Sequence, residues 1–424
     1  MTDACPPPVY HIQTEQGRYY FAAGLTLMLS SVAFRVGYSS AGVTLLAVFP
    51  LLIAAARFER LVFDGRYLRR RGPYAWLKSK LLGASSDLPL TELELVVTEV
   101  LSLPLGVARY RFRTIFTGAD FEAVVFSNMA GYSRFVTAVL ASTTEAKLDL
   151  HSLTWRRYGS PPPVATIAET LDNDQIAQLS SPLLRHIANY LALMGDFKPA
   201  LRCFKEAYGR ARGDPELLCE MGRFFCCLAA VEHPRWRLRA GACLRLAARL
   251  AQQEPRLLER IGEAYCELLD FVRAERCFRR AVEVDRGLFR AYAGLAELAF
   301  RNSQLARVAH YYSAAADSVS DPALRRRAQR EARYYERLSR DDDYLEAEAR
   351  RITLLHHIRQ MRTTAGYVFC VAWLIVGVAG RFSPNLQDGG LAAMGSSGLA
   401  WIGLSLGLCR RRKRVEASET VAPK

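Results

Sequence analysis

Residues 255–281 read PRLLERIGEAYCELLDFVRAERCFRRA, and their spacing decides the fold. Leu258, Ile261, Gly262 and Tyr265 share one face of a helix, and Ala274, Phe278 and Ala281 share one face of a second helix. The register returns 34 residues on as Tyr292, Leu295, Ala296, Ala299, Val308, Tyr312 and Ala315. Forty residues earlier it reads Leu218, Met221, Gly222, Phe225. One further period back it reads Leu184, Ile187, Ala188, Leu191, Gly195, Ala200, Phe204, Ala207. A pair of helices that recurs at about 34 residues cannot bury its apolar face alone, so the units must stack.

This pattern resembles the tetratricopeptide repeat over Leu183 to Ser320. Ala188, Gly222, Gly262 and Ala296 are small where paired helices approach. Ala200, Phe204, Ala274 and Phe278 fill the space between them. The longer spacing in the second unit places six extra residues around Ala230 to Arg237, read as a loop. Arg286 stands where the family usually ends a helix with proline. The resemblance implies a concave surface of first helices that takes protein or peptide partners. Members that clamp a terminal carboxylate place basic and amide residues at the positions of Arg185, Asn189, Arg256 and Arg260, and guanidinium forks hold a carboxylate bidentately. Glu220 departs from that pattern, since an acid there repels the ligand. The competing reading of the same residues is a solvated helix face.

Outside the repeats the apolar residues are concentrated. Of 424 residues 50% are hydrophobic although 23% are charged. Tyr19 to Phe34 and Gly37 to Ala56 form one uncharged pair of segments, and Thr364 to Gly380 and Gly390 to Cys409 form another. Against the roughly 17 to 25 residues that a spanning helix needs, these read as two transmembrane hairpins, the first segment being marginal. Basic residues follow the first pair (Arg57, Arg60, Arg66, Arg69, Arg70, Arg71) and flank the second (Arg359, Arg362, Arg410 to Arg414). The positive-inside tendency then puts both termini and residues 57–362 on the cytoplasmic side of a bacterial-type inner membrane. Ten cysteines without a C-x-x-C pair suit a reducing interior.

Between residues 58 and 145 the period changes to two. Leu93, Leu95 and Val97, then Tyr110, Phe112, Thr114 and Phe116, then Phe121, Ala123 and Val125 alternate as strands. Tyr132, Phe135, Val136, Val139 and Leu140 follow as a helix face. This layout resembles bacterial pleckstrin-homology-like domains, which implies a membrane-side or protein-binding module. Arg66, Arg69, Arg70, Arg71, Lys78 and Lys80 are its candidate contacts to anionic lipid headgroups, or else they only fix topology.

The expected chain is a multidomain membrane protein, mainly α with a small antiparallel β domain. Its parts are a tail and hairpin (1–57), the sheet domain (58–145), a proline-containing linker (146–171) and the repeats (172–320). Capping helices (321–362), a second hairpin (363–410) and a basic tail (411–424) follow. No phosphate loop, H-E-x-x-H or G-x-S-x-G stretch occurs, so no enzyme, cofactor, metal site or small-molecule substrate is expected. The net charge of +15 leaves a second reading open, a membrane tether for nucleic acid or ribosomes. Aromatic residues in the repeats fall at packing positions, which disfavours base stacking.

Overall fold

The structure, a computed structural model, describes residues 9–14, 16–35, 37–82, 85–101, 111–119, 121–161, 178–231, 234–378, 389–401 and 403–404. The described chain is mainly helical, with two small antiparallel sheets. It divides into two compact units, Met1–Glu15 with Arg57–Tyr335, and Gln16–Ala56 with Glu336–Lys424.

In the first unit the strands β1 (Tyr10–Gln13), β2 (Arg60–Phe63), β3 (Tyr67–Arg71) and β4 (Asp87–Pro89) pair in that order. A short helix spans Pro73–Leu82 between β3 and β4. β5 (Leu93–Leu101), β6 (Arg111–Gly118) and β7 (Glu122–Phe126) form the second sheet. Both sheets share one core, in which Ile12, Leu61, Phe63 and Leu68 join Val96, Phe116, Phe135 and Leu140. The inward residues of β6 and β7 are those expected, Phe112, Thr114 and Phe116, and Ala123 and Val125. On β5 the expected face is corrected. A register shift between Leu93 and Leu95 turns Val96 and Thr98 inward in place of Leu95 and Val97, as an inserted residue must when the period is two. Tyr110 lies outside the described residues. The strand β1, which no alternation announced, is held by β2 across the sequence that contains the first two apolar helices.

The helices in chain order are α1 (Gln16–Arg35), α2 (Ser39–Phe58), α3 (Pro73–Leu82), α4 (Tyr132–Ala141) and α5 (Leu150–Tyr158). Four pairs follow: α6 (Ser181–Met194) with α7 (Phe197–Arg210), α8 (Pro215–Val231) with α9 (Trp236–Leu250), α10 (Pro255–Glu267) with α11 (Phe271–Val284), and α12 (Phe289–Arg301) with α13 (Leu305–Ser318). Three of the four pairs turn on a left-handed residue at one repeat position: Gly195, Leu269 and Ser303, with φ of 91°, 62° and 57°. That backbone satisfies the last carbonyls of the first helix and is free of strain only for glycine. Close approach explains the small residues. A Cβ on Gly222 would stand 2.8 Å from Leu244, and one on Gly262 would stand 2.7 Å from Phe278. Gly294 closes on the other side of the Phe278 ring at 2.6 Å, so one aromatic is held between two glycines.

The insertion in the second unit is not mainly a loop, which corrects the sequence expectation. Pro215–Val231 is a 17-residue helix where its counterparts α6, α10 and α12 have 14, 13 and 13. Much of the extra sequence thus lengthens α8, where Leu228 is apolar and finds the core, and α9 resumes with the buried Trp236. His233 and Glu232 lie outside the described residues.

In the second unit α1, α2, α15 (Asp342–Val378) and a helix over 389–401, α16, come together; α14 (Pro322–Arg340) leads into it. Val32, Phe369, Ala372, Val376 and Met394 form its core. One described helix, α2, is long and apolar enough to cross a membrane, with mean hydropathy 2.0 over its best window, and Tyr19–Phe34 is a shorter apolar stretch. The outward side chains are also apolar: Phe21, Leu51, Tyr367 and Leu399 are 55%, 66%, 70% and 73% exposed.

Candidate functional site

Three first helices of the pairs, α6, α8 and α10, carry the residues that the sequence singles out on the peptide surface: Arg185 and Asn189, Glu220, and Arg256 and Arg260. That surface is occupied by the chain's own α5. Residues 150–158, expected to lie in a linker, form this helix because Asp149 accepts hydrogen bonds from the Ser152 amide (2.9 Å) and, across the sheet, from the Thr98 amide (3.1 Å). A buried chain of hydroxyls runs from Ser152 to Thr98 (2.8 Å), Thr114 (3.1 Å) and Tyr132 (2.7 Å) and fastens this side of α5 to the sheet domain.

The other side of α5 meets the repeats. Leu150 joins the core of Leu218, Leu257 and Leu258. The Tyr158 hydroxyl donates to Glu220 Oε1 at 2.5 Å, and Arg157 Nη1 donates to Glu216 Oε1 at 2.6 Å. Arg223 donates to Thr154 and, at 3.3 Å, to Nδ1 of His151. A guanidinium only donates, so that ring nitrogen accepts and Nε2–H points to Glu267 at 3.3 Å. His151 is therefore neutral, and burial with Arg223 beside it pushes its pKa down to about 4. The 3₁₀ turn Glu145–Lys147 before α5 adds Lys147 to Asp321 (2.9 Å). The space left among Leu153, Tyr158, Asn189, Glu220 and Arg260 is about 10 Å³, room for about one water.

Of the four predicted clamp residues, three converge on carboxylates of α8 and of Asp214 just before it. Asn189 Nδ2 donates to Glu220 Oε2 (2.8 Å), Arg260 reaches Glu216 (2.8 Å) and Glu220 (3.5 Å), and Arg185 reaches Glu216 (3.1 Å) and Asp214 (3.4 Å). Arg256 stands apart, 80% exposed, with Glu145 at 3.8 Å. Glu220, which the sequence marked as a departure from a carboxylate clamp, is thus itself the carboxylate that these groups hold. Burial pushes the Glu220 carboxyl up against the pull of Arg185 and Arg260. At Glu216, burial is outweighed by Arg260, Arg185 and Arg157, which draw its carboxyl down to about 2. Farther along the same face Glu259 is pushed up to about 7 by burial in spite of Arg290.

The predicted lipid contacts lie on and beside β3. Arg69 pairs with Asp64 (3.0 Å) and covers Tyr67, and Arg70 lies over the Phe121 ring (5.0 Å). Arg66, Arg71 and Lys80 are exposed, and the Lys78 side chain lies outside the described residues. Among the described residues no three His, Cys, Asp or Glu side chains stand together to hold a metal. Burial pushes the Cys219 and Cys227 thiols up to about 11, away from thiolate chemistry.

No protein-family model matches this chain, and no curated protein matches it either. Sequence reasoning missed α5, Tyr158, Arg223 and the partners of the clamp residues. The signal available was Asp149 three residues before Ser152, a helix cap, followed by Leu150, Leu153 and Tyr158 on adjoining turns.

Proposed function

We propose that this chain is an integral membrane scaffold. An apolar helical unit anchors it, and a cytoplasmic array of helix pairs, of tetratricopeptide type, holds protein segments beside a pleckstrin-homology-like sheet module. The observation that carries this reading is the seat of α5: the inner face of the array is built to hold a helix by paired charges and one apolar anchor, which is protein-segment recognition carried out within one chain. Arg185, Asn189 and Arg260 serve this internal grip, and Arg256 stays at its rim for partners. The repeated left-handed turns and glycine contacts support the tetratricopeptide reading. The exposed apolar side chains of α1, α2, α15 and α16 support the multi-pass anchor, and the arginines after α2 support cytoplasmic termini and domains. Arg66, Arg71 and Lys80 are then free to meet anionic headgroups. An adaptor of this kind works by raising local concentration at the membrane.

The test joins fractionation to capture. The full chain should stay with membranes after alkaline washing, and reporters fused after Ala56 and after Arg414 should both read cytoplasmic. Crosslinking in membranes should join partner proteins to the array. Release by alkali, or an external reporter signal, would contradict the anchor; crosslinks confined to nucleic acid and abolished by nuclease would contradict the adaptor.

A further inference from the structure

Every second helix of the array except α9 balances its arginines with acids on the same helix or its cap, or carries few of them. Arg210 pairs with Glu206 on α7, and Arg273, Arg279 and Arg280 pair with Asp270, Glu275 and Glu283 around α11. α9 differs. From His233 to Gln253 the sequence has no acid, yet Arg235, Arg237, Arg239, Arg245 and Arg249 lie in it. All five are exposed, and Arg237, Arg245 and Arg249 have no carboxylate within 4 Å among the described residues. Trp236, Ala240, Leu244 and Ala247 form the buried side of the helix. At 100° per residue Arg235, Leu238, Arg239, Ala242, Arg245 and Arg249 then fall on the opposite side as one stripe.

We infer that this outward stripe of α9 is the docking surface for an acidic protein segment with an apolar side chain at its middle. The inference deepens the scaffold reading and rests on it. The charge commits the partner to an anion. Two further features favour a protein over a nucleic acid. Leu238 is 79% exposed between the arginines, an apolar contact that a sugar-phosphate backbone does not reward. The one aromatic of the helix is withdrawn: Trp236 stacks on Phe225 (5.4 Å) beneath Arg239 (4.7 Å) and Arg235 (5.6 Å), so no ring is offered to a base. The stacked ring also holds the Arg239 guanidinium in place, so less of its freedom is lost when a carboxylate arrives. The stripe runs from Arg235 to Arg249, 14 helical steps or about 21 Å, the length of a four-turn acidic helix. The inner face over α6, α8 and α10 offers no such vacancy, because α5 covers it.

The experiment uses the full chain in detergent and a fluorescent peptide of Glu-Leu-Ala-Glu repeats, about 14 residues long to match the stripe, read by anisotropy at low and physiological salt. The unaltered chain should bind, and the triple variant R239E/R245E/R249E should bind at least about 10-fold more weakly, since like charges replace opposite ones. A Lys-Leu-Ala-Lys peptide should bind that variant and not the original. L238D should weaken the acidic peptide as well. Circular dichroism of each variant matching the original shows that folding is intact, and rescue by the basic peptide cannot come from an unfolded chain. Equal binding by the triple variant, or loss only in R256E at the rim of the inner face, overturns this stripe and leaves the scaffold reading standing. Binding of an RNA oligonucleotide or of anionic vesicles through the same arginines, with no binding of the peptide, also overturns it. Peptide binding through the stripe by a chain that alkali strips from membranes supports the stripe and contradicts the anchor.

Discussion

Replacing Tyr158 by phenylalanine takes one oxygen from the seat of α5 and leaves the ring. The side chain is 6% exposed and meets His186 edge-on at 5.2 Å, so phenylalanine keeps the packing and opens no cavity. What is lost is a 2.5 Å hydrogen bond to a carboxylate that is 3% exposed. Bonds to charged groups contribute about 1.5–3 kcal/mol, and Glu220 keeps Asn189 and Arg260, so the cost belongs near the lower half of that range. Opening of α5 should then become about 10- to 45-fold more frequent. Hydrogen exchange of the amides in residues 150–158, measured on the full chain in detergent, reads this directly. Arg157→Gln is the comparison: its partner Glu216 is about one-third exposed and already holds Arg260 and Arg185, so the expected cost is only about 0.2–1 kcal/mol. Unchanged exchange over 150–158 in Tyr158→Phe, or a larger effect from Arg157→Gln, would refute the buried Glu220 contact as the main fastening.

Acid should loosen the same seat. The His151 pKa is about 4 in the folded chain and near 6.5 when unfolded, so its contribution is full above 6.5 and is lost as pH falls through 4; with 24% of the side chain exposed this amounts to about 1–3 kcal/mol. An imidazole titration by NMR with a midpoint near 6.5 would contradict it. Leu269→Gly should stabilise the array by about 0.5–1 kcal/mol, because a 58% exposed leucine at φ 62° gives up left-handed strain and little burial; thermal unfolding checks the sign. Phe278→Ala empties the space between Gly262 and Gly294 and should cost about 3–5 kcal/mol by denaturant unfolding, and a cost under about 1 kcal/mol would mean the pairs do not pack through this ring.

The helix pairs were legible because burial repeats with the sequence. The residues read at 34-residue spacing, from Leu184 to Ala315, lie almost entirely in the core. The sheet was legible where alternation was strict, in β6 and β7, and misread on β5, where a bulge shifts the inward face by one residue. Nothing local announces β1: four residues gain their structure only from pairing with β2 some fifty positions away. The site was half legible. Composition and register picked Arg185, Asn189 and Arg260, but their partners were taken to come from another molecule. Glu220 looked like a defect because a sequence lists charges one at a time, whereas a buried carboxylate is explained only by the Tyr158, Asn189 and Arg260 groups that reach it in space. Over residues 150–158 a helix replaces the expected linker, because Asp149 caps it and its apolar residues pack on both neighbours; residues 162–171 of that linker lie outside the described residues.

The occupancy of the inner face of the array decides the rest, and a photocrosslinking residue can report it in cells. A benzophenone amino acid in place of Leu150, which is 5% exposed among Leu218, Leu257 and Leu258, should on irradiation join α5 to α8 or α10 of the same chain, with the bridged peptides identified by mass spectrometry. Crosslinks from this position that run only to other proteins, with no bridge to residues 215–267, would contradict a face filled from within.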